Sequence, residues 1–232
     1  GAVTQTGVLT ANGLNLSGTG TFTLTNTGNN VATVAGGISA AKLGSLTYYD
    51  VDNLTIGTVN STGIYSSGNI KIETGSGDIN LTEPVNTTSA TTTATGYAGA
   101  IVLNAGKSTA IGTATGGDIK VSGNGAVSAP NGIAKLFSGK ETASTGLSSL
   151  VGGTAQERGN VDETTTTFSP ALTASAGVKY ALYRVPATIG EKKPPVPAET
   201  GERETADRAE QQCAQRSGLH LRGRGQALPH QP

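Results

Sequence analysis

The sequence predicts an all-β fold, a parallel β-helix (β-solenoid) followed by a disordered C-terminal tail, on three observations. A short unit, a turn former followed by apolar, any, apolar, recurs along the chain. The composition, with 34 Gly, no Trp, no Met and 4% aromatics, starves a core of large side chains but supplies small and β-branched ones that suit stacked strands. After about residue 186 both features stop, and proline and charge take over.

The units are Asn12-Gly-Leu-Asn-Leu16, Gly20-Thr-Phe-Thr-Leu24, Asp52-Asn-Leu-Thr-Ile56, Gly68-Asn-Ile-Lys-Ile72, Gly77-Asp-Ile-Asn-Leu81, Gly99-Ala-Ile-Val-Leu103 and Gly117-Asp-Ile-Lys-Val121. Alternation with period two marks a strand with one buried face, and the preceding Gly, Asn or Asp marks a turn. Close pairs start about 8 to 9 residues apart and wider pairs about 16 to 22, the spacing of successive faces and coils of a solenoid. The interior ladders are then Leu14, Leu16, Phe22, Leu24, Leu54, Ile56, Ile70, Ile72, Ile79, Leu81, Ile101, Leu103, Ile119 and Val121. Asn15, Thr23, Thr55, Lys71, Asn80 and Lys120 face water. Residues 1–150 form β-helix coils, roughly 7 of about 20 residues each, in a rod some 30 to 35 Å long at the inter-strand spacing.

Thr87 to Thr95 is polar, lacks an apolar ladder, and reads as a loop projecting from the coil. Residues 151–186 read as an irregular terminal coil or cap, in which Val178-Lys-Tyr-Ala-Leu-Tyr-Arg-Val185 supplies large side chains to close the stack. Residues 187–232 read as a Pro-rich linker, Glu191-Lys-Lys-Pro-Pro-Val-Pro197, and a disordered or weakly helical tail. With no Met, even at position 1, the chain is expected to be a fragment, so a leader sequence has no place to be read.

The segments Leu9 to Ser17, Asn30 to Ala35, Leu54 to Val59 and Gly68 to Ile72 resemble repeats of the filamentous haemagglutinin-like exoproteins of Gram-negative bacteria. Val178 to Val185 is similar to a segment near the ends of their repeat arrays, so the resemblance covers roughly residues 1 to 186. It implies a right-handed β-helix, two-partner secretion through an outer-membrane pore, and an adhesin secreted or held on the bacterial cell surface.

The chemistry on offer is sparse. Nucleophilic and zinc catalysis need His or Cys within bonding reach, yet His220, His230 and Cys213 all fall in the tail. No catalytic, cofactor or metal site is expected, and no enzyme. A carbohydrate-active β-helix enzyme is the alternative. It would draw on Asp50, Asp52, Asp78, Glu83, Asp118, Asp162 and Glu163, with Arg158 or Arg184 as basic partner. Its best cluster is Tyr48-Tyr-Asp-Val-Asp52, with both acids on one strand face and two rings to stack on a sugar, against the plainer reading of a solvated strand end. Gly75-Ser-Gly-Asp-Ile79 and Gly116-Gly-Asp-Ile119 are incomplete as calcium-roll repeats and read as coil corners that need glycine.

Zero formal net charge and 14% charged residues give no electrostatic footprint for nucleic acid, and no apolar run is long enough to span a membrane. The expected function is a structural, adhesive stalk segment that presents loops such as Thr87 to Thr95 to host glycan, matrix or neighbouring cells. A ligand-free spacer is the third reading.

Overall fold

A computed structural model describes residues 1–187. The expectations about the tail, including Cys213, His220 and His230, lie outside the described residues. The chain runs in circuits that return repeatedly to one sheet. Strands β1 (Ala2–Thr4) and β2 (Thr10–Leu16) make the first circuit, and β3 (Thr21–Leu24) and β4 (Asn30–Gly36) the second. In the third come β5 (Ser45–Asp50), β6 (Leu54–Ile56) and β7 (Ile64–Ser66). The fourth holds β8 (Ile70–Thr74), β9 (Ile79–Leu81) and β10 (Val85–Thr87), and the fifth β11 (Ile101–Asn104), β12 (Ile119–Val121) and β13 (Val127–Ser128). After β14 (Ala134–Ser138) follow a short helix α1 (Leu147–Val151), β15 (Glu157–Gly159) and β16 (Lys179–Tyr183).

Every named strand pair is parallel. Sheet A has the order β1-β3-β5-β8-β11-β14-β16-β15. Sheet B has the order β12-β9-β6-β4-β7-β10-β13, with β2 also on β4, and is curled like half a barrel. The curl originates in β4, which pairs with β6 through Thr33 and Val34 but with β7 through Gly36. The architecture is thus all-β, mostly parallel, with 6% helix.

Register turns the repeats into columns. In sheet A, Phe22, Leu46, Ile70, Ile101 and Ala134 form one inward column, and Leu24, Tyr48, Ile72, Leu103, Leu136 and Ala181 the next. In sheet B, Leu14, Val34, Ile56, Leu81 and Val121 line up. Nearly all of these are fully buried, each worth about 1.5–3 kcal/mol for a large side chain. Leu14 and Val121, at opposite ends of their column, are only half-buried because no further strand covers them. A further column runs through Leu16, Gly36, Ile64, Val85 and Val127, and beyond Leu16 the repeat pattern does not reveal it, because Gly36 has no side chain and β7, β10 and β13 each carry one buried apolar residue.

The glycine corners stack as the sequence suggested. A Cβ on Gly77 would lie 2.1 Å from the carbonyl carbon of Asp52, and one on Gly117 would lie 2.2 Å from the oxygen of Gly77. Gly117 also has φ +138°, a conformation side chains rarely adopt.

Two expectations need correction. The segment Val178 to Val185 does not end the stack: β16 slots between β14 and β15, so β15, which precedes it in sequence, is the outermost strand of sheet A. Nor does Thr87 to Thr95 project. Thr87 is buried as the end of β10, and the following stretch lies back along sheet A, held by Ile133 N–H on Thr91 O (2.9 Å) and by Lys135 on the carbonyls of Thr95 and Gly96.

Candidate binding surface

The outward side chains of sheet A form columns as regular as the inward ones, and their chemistry changes along the stack. One column reads Thr4, Thr23, Thr47, Lys71, Val102, Lys135, Tyr180. Its first two members are exposed, Thr47 and Lys71 are half-buried, and the last three are buried. Over the later part lie residues 88–100 and 160–178, which bring Ala94, Tyr97, Val161, Phe168, Leu172 and Val178 onto Val102, Ile133, Phe137, Tyr180 and Leu182. A second apolar cluster therefore sits outside the sheet, separate from the one between the sheets.

Lys135 anchors this cover. It is fully buried, donates to Thr95 O (3.0 Å) and Gly96 O (2.6 Å), and lies 5.3 Å from the centroid of Phe168. Burial pushes its ammonium down to about 8. Tyr97 is fixed as firmly: its hydroxyl donates to Glu73 Oε1 (2.7 Å) and accepts from Asn104 Nδ2 (3.0 Å), and its ring meets Phe137 at 5.1 Å. Burial, then the Glu73 carboxylate, push the Tyr97 phenol well above its usual range. Glu73 is in turn paired with Lys107 at 2.9 Å.

Where the bare part of the face meets this cover there is a groove of about 300 Å³. Thr47 and Lys71 belong to its floor strands, Asn69 directly precedes β8, and Tyr97, Ala98 and Gly99 belong to the covering segment. The Lys71 ammonium stands 5.8 Å from the Tyr97 centroid and, among the described residues, forms no salt bridge. Asn69 uses its Oδ1 to accept from Ser89 and Thr91, which leaves its amide nitrogen for solvent or ligand. Other hollows lie among the described residues. One of about 270 Å³ is lined by Ser39, Lys42, Tyr65, Asn86, Thr88 and Ser128 among others; one of about 450 Å³ beside β15 has no titratable side chain in its lining.

The acidic candidates are not brought together. Asp50 is fully buried, accepting from Tyr48 OH (2.6 Å), Val31 N–H (2.9 Å) and Asp52 N–H (3.3 Å). Burial raises its carboxyl above the usual range against these hydrogen bonds, and burial with the Asp50 contact raises the Tyr48 phenol. Asp52 lies beyond the end of β5, exposed and bonded to Asn30 Nδ2, so the two acids share no strand face. Tyr48 points into the core and Tyr49 out, so no pair of rings forms.

Asp78 pairs with Lys120 and accepts from Asp118 N–H, and Asp118 accepts from Lys140 N–H (2.8 Å), which makes both corner supports. Glu83 accepts from the Asn124 amide. Asp162 caps the turn at Thr164 and Thr165, and Glu163 accepts from Ser108 N–H (2.8 Å). Arg158 and Arg184 bond backbone carbonyls: Pro170, Ala155, Glu157 and Ala171 for the first and, through Nη1 and Nη2 while its Nε is buried without a partner, Ala105, Thr115 and Gly117 for the second. Burial lowers the Arg184 guanidinium below its ordinary value. Among the described residues no cluster of His, Cys, Asp and Glu is placed to hold a metal ion, and no helix is long and apolar enough to cross a membrane.

Sequence reading placed Lys71 on the outer face but gave no role to Tyr97, Glu73, Asn104 or Lys135. A lone aromatic beside Gly96, after the threonine run, was the one available signal for Tyr97. The chain matches no family model, and no curated protein or solved structure is significantly similar to it.

Proposed function

We propose that residues 1–187 are a segment of right-handed parallel β-helix that serves as an adhesive stalk of a secreted bacterial surface exoprotein. The observation that carries this reading is the continuous in-register stacking of successive circuits, with a flat, polar, uncharged threonine column on the outside. Right-handedness follows from the crossover rule, because parallel strands of one sheet are joined right-handedly in about 98% of cases. Stacked circuits make a stiff support, and an uncharged hydroxyl face adheres by hydrogen bonds and methyl contacts rather than by net charge. The acidic candidates support a non-catalytic role, since Asp50, Asp78, Asp118 and Asp162 are engaged in holding strand ends, turns or corners.

The resemblance to filamentous haemagglutinin-like exoproteins supports export through an outer-membrane pore and partners among host glycan, matrix or neighbouring cells. The test is adhesion of the purified chain, coated on beads, to matrix-coated and cell-coated surfaces. Saturable retention that falls when Thr23→Arg and Thr47→Arg disrupt the outer column is expected. Absence of saturable retention on every surface would leave a spacer.

A further inference from the structure

We infer that the groove between Thr47, Asn69, Lys71 and Tyr97 is a subsite for a carboxylate-bearing sugar, a uronic-acid residue of an acidic glycan. The inference deepens the adhesive reading and rests on it for the biological setting, but the groove's chemistry is argued from its own residues. It has one rigid aromatic wall, because Tyr97 is held at its hydroxyl by Glu73 and Asn104 and at its ring by Phe137. Sugars dock their C–H faces on such fixed rings with little ordering cost. It has one cation, Lys71, that no carboxylate of the described residues neutralises. Over the ring the ammonium is partly screened from water, which strengthens a charge-assisted bond to an incoming carboxylate.

Neutral donors and acceptors complete the lining: the Thr47 hydroxyl, and the Asn69 amide nitrogen left over when its oxygen binds Ser89 and Thr91. A volume of about 300 Å³ admits a sugar ring or two, at the small end for ligand sites. A single ammonium in a chain of zero formal net charge fits one carboxylate per sugar. A polysulfated ligand would call for a basic cluster. The outer threonine column leads into the groove from the bare side, so a glycan chain has a polar track on which to continue.

The experiment is titration of the full chain with tri-galacturonate and, in parallel, neutral galactotriose, followed by heteronuclear NMR shifts. Saturable shifts at Thr47, Asn69, Lys71 and Tyr97 with tri-galacturonate are expected. Affinity should fall about tenfold in Lys71→Gln, and as far in Thr47→Asp, which sets an anion on the floor at a half-buried site outside the core. Tyr97→Phe keeps the ring but frees it from Glu73 and Asn104, and a smaller, few-fold loss is expected. Equal binding of the neutral trisaccharide, unchanged affinity in Lys71→Gln, or no shifts with either sugar up to about 10 mM would each overturn the subsite. Bead adhesion by the parent chain with no shifts from either sugar would overturn the groove and leave the adhesive reading standing. Sugar binding without bead adhesion would do the reverse.

Discussion

On one side of Lys71 the outer column of sheet A runs from the exposed Thr4 and Thr23 to the half-buried Thr47; on the other it is buried as Val102, Lys135 and Tyr180. Between the sheets the inward columns stay apolar from β3 to β14 and across the bare-to-covered boundary, and only at the last strands do Lys179 and the buried Glu157 fall in register with them. Inward register is thus set by the circuit itself, whereas outward chemistry follows the connections. Short connections leave polar residues outside, and the longer ones at 88–100 and 160–178 fold back and demand apolar partners beneath them. The buried lysine in the covered part is satisfied by loop carbonyls instead of an acid, so it marks a cover closed by backbone.

The largest effect expected of a substitution that breaks this contrast is in the covered part. Phe137→Ala removes a ring of β14 packed under Tyr97 and the rest of the cover and should cost about 3–5 kcal/mol in urea unfolding. A loss under about 1 kcal/mol would mean that the second cluster is not packed. In the bare part the comparable keystone is polar and lies inside. Asp50→Ala strands the Tyr48 hydroxyl and the Val31 N–H in the core, and a loss of about 3 kcal/mol is expected by the same measurement.

A smaller effect is titratable. With its folded-state value at about 8 against 10.5 for an ordinary lysine, Lys135 has shed its proton in the folded chain over an interval where the unfolded chain still binds one. Its penalty on folding is therefore present in full below about 8 and relieved as pH rises to about 10.5. The stability difference between Lys135→Met and the parent should shrink or grow steadily in favour of the parent across that window. A difference flat with pH would contradict the buried ammonium. Least affected is the bare column, where Thr23→Ala should change stability by no more than about 0.5 kcal/mol.

Legibility in the sequence followed the same divide. Leu54 and Ile56, or Ile79 and Leu81, could be assigned inward because each strand carries two apolar residues at period two. Ile64, Val85 and Val127 could not, because a single apolar residue has no period. The Asp50 and Asp52 cluster misled because β5 ends at Asp50, so alternation does not extend to Asp52. The insertion of β16 between β14 and β15 depends on contacts across a connection from Asn160 to Val178, and no local pattern encodes it. The groove was legible only in part: Lys71 follows from alternation, but Tyr97 reaches it through a segment whose threonines look like free loop.

The most direct test of the two-part face is thiol labelling of single-cysteine variants, Thr23→Cys, Thr47→Cys and Val102→Cys, each in a Cys213→Ser background. Under native conditions the thiol at position 23 should react at nearly the unfolded rate, that at the half-buried position 47 more slowly, and that at 102, where the parent side chain is 2% exposed, should be slowed by orders of magnitude. Equal labelling at all three positions would contradict the cover.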